Sequence, residues 1–149
     1  MKKQINIRNK RANFEYELLD KFTAGMQLTG PEIKSIRAGK ASIVEGYCFL
    51  KRNEMWIKGM HISNYNPASY NNAPNIRDRK LLLNKSEIEK IQKMMKNKGL
   101  TIVPLKVFIA SSGYAKIDIA VARGKKMHDK RDDLKAKDDK RAMDRAMKQ

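Results

Sequence analysis

Catalysis in this chain would have to be built from His61 and His128, or from the aspartate pairs Asp132–Asp133 and Asp138–Asp139. Two histidines brought together across a fold can act as general acid and base, as in a metal-free nuclease. Neither histidine lies in an HExxH pattern or has a second ligand at metal-binding spacing. His128 belongs to a polar segment that would have to fold back to reach His61. A surface or hydrogen-bonded histidine at a strand end is the plainer account of His61. Adjacent aspartates on a helix point in different directions, and each pair is flanked by Lys or Arg, so solvated ion pairs explain them better than a metal site. No enzyme, metal or cofactor emerges from these groups.

Phosphate neutralisation is the chemistry the chain spells more clearly. Gly30–Ser42 reads as a short helix: Pro31 suits its first position and Glu32 complements the dipole of its first turn. Arg37 lies late in the segment, and Gly39 is placed to take a left-handed cap. Ile33 and Ile36 share one face and are expected on a core, which leaves Lys34, Arg37 and Lys40 as a rigid basic surface. Any surface helix carries some Lys and Arg; the rest of the chain is what lifts this one. Lys and Arg number 33 against 16 Asp and Glu, a formal charge of +17 in 149 residues. Such an excess repels itself in the folded state and implies a polyanionic partner. Nucleic acid comes first, because neutralised phosphates release condensed counterions. An anionic membrane is the rival, but the sequence shows no long apolar run, signal peptide or lipidation motif. The single cysteine, Cys48, excludes an intramolecular disulfide and a Cys-based zinc cluster, and reads as a small buried hydrophobe in a cytoplasmic protein.

The elements that must position these cations read as mainly β with α. Residues 1–12 form a basic N-terminal arm expected to order from about Asn9; residues 13–123 form one β-barrel domain expected to bind nucleic acid; residues 124–149 form a tail. Alternation from Phe14 through Tyr16 and Leu18 predicts a half-buried strand, bending at Gly25. Tyr47–Leu50 and Met55–Met60 flank Lys51–Glu54 as a hairpin, and His61–Ile76 reads as an Asn-rich loop. A second helix starts at Asn84 or Ser86 with Glu87 or Glu89 three residues on, buries Ile88, Ile91 and Met95, and stops at Gly99. Leu100–Ala110 and Tyr114–Arg123 are the longest strands, with Pro104 at an edge or bulge and Ser111–Gly113 as the turn. About six strands in antiparallel hairpins with two or three helices predict a small barrel of the oligonucleotide-binding kind. Residues 123–149 hold 11 Lys and Arg, 6 Asp and few large apolar side chains, so the tail is expected to be disordered when free and helical on a partner. Tyr16, Tyr47, Trp56, Tyr65 and Tyr70 interleave with basic residues, which would allow base stacking. Trp56 is expected in the core, and Tyr65 and Tyr70 are the better stacking candidates.

Several segments, in order, resemble the SsrA-binding proteins (small protein B), partners of transfer-messenger RNA (tmRNA) in bacterial ribosome rescue. They are Asn9-Lys-Arg-Ala12, Ala24-Gly25, Gly30-Pro-Glu-Ile-Lys-Ser-Ile-Arg-Ala-Gly-Lys-Ala41, His61-Ile62, Arg79-Lys-Leu-Leu-Leu-Asn84, Gly99-Leu-Thr-Ile-Val-Pro-Leu105 and Ala122-Arg-Gly-Lys-Lys-Met-His-Asp-Lys-Arg131. Any one is weak; the ordered set, spanning nearly the whole chain, is specific. The resemblance implies an oligonucleotide-binding-like barrel gripping the tRNA-like part of tmRNA, acting as a monomer with no cofactor. The RNA-facing positions it implies are Asn9, Lys10, Arg11, Glu32, Lys34, Ser35, Arg37, Lys40, Arg79, Lys80 and Leu82. Lys and Arg would neutralise phosphates, Asn9 and Glu32 would hydrogen-bond ribose or base edges, and Leu82 would sit against an unstacked base or in the core.

The tail corresponds to a family segment that enters the vacant mRNA path of a stalled small subunit. There the resemblance places His128, followed by Asp129, Lys130 and Arg131, at the decoding centre, and Arg123, Lys125 and Lys126 against ribosomal phosphates. Thr23 departs from the Glu common in relatives before Ala-Gly. Three readings are therefore carried forward: a non-catalytic RNA adaptor, a basic protein binding nucleic acid by charge alone, and a small ribonuclease using His61 and His128. The adaptor leads.

Overall fold

The computed structural model describes residues 5–63 and 76–125. Their strands are β1 (Asn6–Arg8), β2 (Tyr16–Met26), β3 (Ala41–Ser42), β4 (Tyr47–Lys51), β5 (Glu54–Lys58), β6 (His61–Ile62), β7 (Arg79–Leu82), β8 (Leu100–Ile109) and β9 (Ala115–Gly124). The helices are α1 (Ala12–Glu15), α2 (Gly30–Arg37) and α3 (Lys85–Met94). Antiparallel pairing runs β8-β4-β5-β7-β2-β9, and β9 pairs back onto β8, so the ladder closes on itself into a ring; β1 adds to β8, and β3 pairs with β6 separately. This is the small antiparallel fold expected from the hairpin pattern.

Alternation decides what enters the ring. On β9, Ile117, Ile119 and Val121 are buried while Lys116 and Asp118 lie on the outer face. Inward residues of β5, β7 and β8, among them Met55, Ile57, Leu81, Ile102 and Val107, complete the core. Each such side chain taken from water stabilises the fold by roughly 1.5–3 kcal/mol. The β4–β5 turn is Arg52-Asn53 with φ of 52° and 62° at the two residues, the left-handed pair that a tight hairpin needs. Pro104 sits at a register shift in β8, as its missing amide hydrogen demands.

Several expectations are corrected. The N-terminal arm orders earlier than Asn9: Asn6–Arg8 pairs with Lys106–Phe108 as β1, because Ile7 alternates with polar Asn6 and Arg8 and packs on the core. Phe14 belongs to the single turn α1, and the strand begins at Tyr16; over so few residues the two periodicities are hard to tell apart. Strand β2 runs on through Gly25 and is instead interrupted at Leu19, a bulge between Leu18 and Asp20. Beyond that bulge the outer face also packs: Val103, Ala120 and Ala122 form a second small cluster with Tyr16, Leu18 and Leu105. His61-Ile62, read as loop, is strand β6 against Ala41-Ser42. Helix α3 takes the first of its two expected caps, the Asn84 amide donating to Glu87 Oε1 at 3.0 Å.

Candidate nucleic-acid interface

Helix α2 begins with a reciprocal cap. The Glu32 amide donates to Thr29 Oγ1 at 3.3 Å and the Thr29 amide donates to Glu32 Oε1 at 3.0 Å. Thr29-x-x-Glu32 is legible in the sequence as a capping box and went unread there. Gly39, at φ 74°, ends the segment in the left-handed conformation expected of it. Ile36 is buried and Ile33 half-buried, so Lys34, Arg37 and Lys40 are left exposed, as the spacing predicts. Arg37 also reaches across the fold: its Nη2 donates to the Gly113 carbonyl at 3.0 Å, pinning the β8–β9 turn to α2. Tyr114, next in that turn, is 71% exposed beside this basic edge. Sequence reading placed it only as a strand start.

Three of the positions expected to face RNA turn inward instead. Glu32, Ser35 and Arg79 are all buried, with Arg79 fully enclosed. Glu32 is the hub: Arg79 Nε donates to its Oε2 at 2.6 Å and Arg77 Nη2 to its Oε1 at 2.6 Å. Arg79 also donates to the Met60 carbonyl at 2.8 Å. Burial alone would raise the Glu32 carboxyl, but Arg77, the Thr29 amide and Arg79 outweigh it and hold the group below its ordinary value. Burial likewise pulls Arg79 down while Glu32 opposes, yet a guanidinium stays charged at any working pH. The group is thus an ionic Arg–Glu–Arg cluster that fastens α2 to the start of β7. Arg77 carried no role in the sequence reading.

Asn9 is also committed internally. Its Nδ2 donates to the Pro104 carbonyl at 3.0 Å, its Oδ1 accepts from the Arg11 amide at 3.2 Å, and its own amide bonds Leu105. It locks the arm onto the β8 bulge, which leaves Lys10 exposed nearby and Arg11 in a solvated pair with Glu45 at 3.6 Å. Lys80 pairs with Glu54 at 3.3 Å, and Leu82 is 52% exposed, lying over Gly25, where a Cβ would stand 3.4 Å from that of Leu82.

Cross-strand register joins these positions into one outer face. Arg8 stands opposite Lys106, Lys106 opposite Asp118 and Asp118 opposite Thr23; in the next row Phe108, Lys116, Gly25 and Leu82 follow one another across four strands. Arg8, Lys21, Lys106 and Lys116 were not singled out in the sequence, because only the ladder register brings them together. A cavity of about 480 Å³ opens here, lined by Arg8, Lys10, Lys21, Lys106 and Asp118 among others. Thr23 Oγ1 donates to Asp118 at 2.7 Å, so a carboxylate stands in this row beside Thr23.

His61 is half-buried on β6, bridged to Ile76. Among the described residues no three His, Cys, Asp or Glu side chains gather as a metal site. Arg123 is exposed at the end of β9, and the Lys125 amide donates to the Glu15 carbonyl at 2.9 Å, so the chain leaves the ring beside α1. Lys126, His128, Asp129, Lys130 and Arg131 lie outside the described residues, as do Tyr65 and Tyr70.

A closed antiparallel ring of the oligonucleotide-binding kind, with a capped cationic helix and lysine-rich outer face, defines a small basic nucleic-acid-binding fold. The family model described as SmpB protein matches residues 6–149. Among similar curated relatives, the SsrA-binding protein of Phocaeicola vulgatus is 56% identical over 144 residues, covering 97% of this chain and 96% of its own. That of Parabacteroides distasonis is 55% identical, covering 97% and 94%. A solved structure described as "tmRNA-SmpB: a journey to the center of the bacterial ribosome" superposes with a TM-score of 0.70 at 39% identity, over 83% of this chain and 86% of that one. The chain belongs to the SmpB family of SsrA-binding proteins.

Proposed function

We propose that this protein is a non-catalytic RNA-binding adaptor that binds the tRNA-like domain of tmRNA and delivers it to stalled ribosomes for trans-translation. The observation that carries the reading is the family match over residues 6–149, which takes in both the ring and the basic tail. The geometry supports it: α2, fastened at Thr29, Glu32 and Gly113, presents Lys34, Arg37 and Lys40 from a backbone that is already held in place. In this reading Lys10, Arg11, Lys34, Arg37, Lys40 and Lys80 meet RNA phosphates, Leu82 meets an unstacked base, and Asn9, Glu32, Ser35 and Arg79 position the elements that carry them. Residues 13–123, with Lys10 and Arg11 of the N-terminal arm, capture the RNA. Residues 124–149, with Arg123, Lys125, Lys126, His128, Asp129, Lys130 and Arg131, enter the mRNA path and decoding centre of the small subunit, in the cytoplasm where ribosomes work.

Binding of the purified protein to tmRNA, an ordinary tRNA and a random RNA duplex across a salt series tests this. Selective binding to tmRNA that persists as salt rises is expected. Parallel loss of all three complexes would refute a shaped site and leave charge alone as the cause of binding.

A further inference from the structure

The outer face of β4 and β5 carries an aromatic patch that none of the residues above explains. Tyr47 stands opposite Lys58, Phe49 opposite Trp56, and Trp56 opposite Lys80. Their alternate neighbours Cys48, Met55, Ile57 and Leu81 fill the core, so the three rings belong to the outside. Trp56 is therefore not the core residue the sequence suggested. Tyr47 is 46% exposed, Phe49 and Trp56 are half-buried, and the Trp56 indole N–H, itself buried, has no hydrogen-bond acceptor among the described residues. Lys51 and Lys58 stand exposed at the two ends of the patch, and half-buried Lys80, paired with Glu54, lies on its flank.

We propose that Tyr47, Phe49 and Trp56 form a stacking platform for unpaired RNA bases, with Lys51, Lys58 and Lys80 on the adjoining phosphates. The inference rests on the RNA-binding reading above and adds to it a second contact surface, which meets the first only at Lys80. Aromatic rings between lysines on a sheet suit single-stranded RNA rather than duplex, because only unpaired bases offer their faces for stacking. Cross-strand aromatic pairing also stabilises a sheet by itself, so the test must read RNA contact and not only folding.

Trp56 is the single tryptophan of the chain, so its fluorescence reports on this patch alone. The full-length protein is titrated with a labelled oligoadenylate of about 12 nucleotides, within the span such folds engage, and with a duplex of equal length. Label anisotropy gives occupancy independently of Trp56. Saturable quenching of Trp56 by the single strand, and little by bound duplex, is expected. Phe49→Leu and the exposed Tyr47→Leu should each weaken single-strand binding by about tenfold, the scale of one lost stacking partner, without changing the salt slope. Lys58→Ala should make that slope shallower. Occupancy without a Trp56 response, equal quenching by duplex, or wild-type affinity in folded Tyr47→Leu protein would overturn the inference. Selective tmRNA binding with a silent Trp56 would sink the platform and leave the adaptor reading standing. A Trp56 response without tmRNA selectivity would do the reverse.

Discussion

Replacing Glu32 by Ala separates two roles for this carboxylate, contact with RNA and positioning of α2. Arg79 is fully buried and pairs with Glu32 at 2.6 Å, so the substitution leaves an enclosed guanidinium without its carboxylate. Removing one partner of a buried ion pair costs about 3–5 kcal/mol. Arg77 is 31% exposed at its side chain and can hydrate, which favours the lower end of that range. For a domain of this size, 1 kcal/mol moves the melting temperature by roughly 2–4 °C, so a fall of about 10 °C is expected. Thermal unfolding followed by circular dichroism measures it, with Lys40→Ala as the exposed control that should melt like wild type. Unchanged melting of Glu32→Ala together with lost tmRNA affinity would refute the positioning argument and put the carboxylate at the RNA.

Acid titration tests the same cluster. Because Arg77, the Thr29 amide and Arg79 hold the folded Glu32 carboxyl below its ordinary 4.5, the folded state binds that proton less readily than the unfolded chain does. Its contribution is complete above pH 4.5 and is lost as pH falls through the depressed folded value. Wild type should therefore lose stability more steeply on acidification below that point than Glu32→Ala, although it starts higher. Parallel curves for the two proteins would contradict the linkage.

Substituting Lys34, Arg37 and Lys40 together by Ala should weaken tmRNA binding and make its salt dependence shallower by about 0.7–0.9 per lost phosphate contact, read from log K against log salt. Deleting residues 124–149 should leave tmRNA affinity near wild type and abolish rescue of stalled ribosomes in a reconstituted translation assay; loss of tmRNA affinity would contradict the division of labour. Burial pushes the Cys48 thiol up, so in the native protein it should react far more slowly with a thiol reagent at neutral pH than in denaturant, and equal rates would contradict its place in the core.

Ladder and core were legible wherever one residue type repeats at period two. Ile117 and Ile119 against Lys116 and Asp118 needed no structure, nor did the Gly39 cap of α2. The candidate site was legible only in part, for two physical reasons. Charge type says nothing of direction: Arg79 and Lys80 are adjacent in sequence, yet the pleat sends one into the ring and the other outward. Glu32 likewise looked like a surface acid until Arg77 and Arg79, brought from 45 and 47 residues away, closed around it. Arg8, Lys106 and Lys116 gather only through register, and register here depends on two bulges: Pro104 marks the one at Leu105, but the one at Leu19 leaves no local mark.

Those bulges lie on the strands flanking β9, and β9 is what relates the two ends of the molecule. At one end Arg37 ties α2 to the turn that opens β9; at the other, the Lys125 amide is tied to Glu15 as the chain leaves the ring. The ten residues of β9 between them span roughly 30 Å, paired on both edges to β2 and β8. Side chains are buried on both faces over its later half, at Ile119, Ala120, Val121 and Ala122. A strand so enclosed has no freedom to pivot, so the basic helix and the start of the tail keep a fixed separation. In the adaptor reading this rigidity is the point of the fold. An RNA held at α2 and the point where the chain leaves the ring, some 30 Å along β9, are placed relative to one another by main-chain hydrogen bonds, while the cations supply affinity and leave the geometry to the ring.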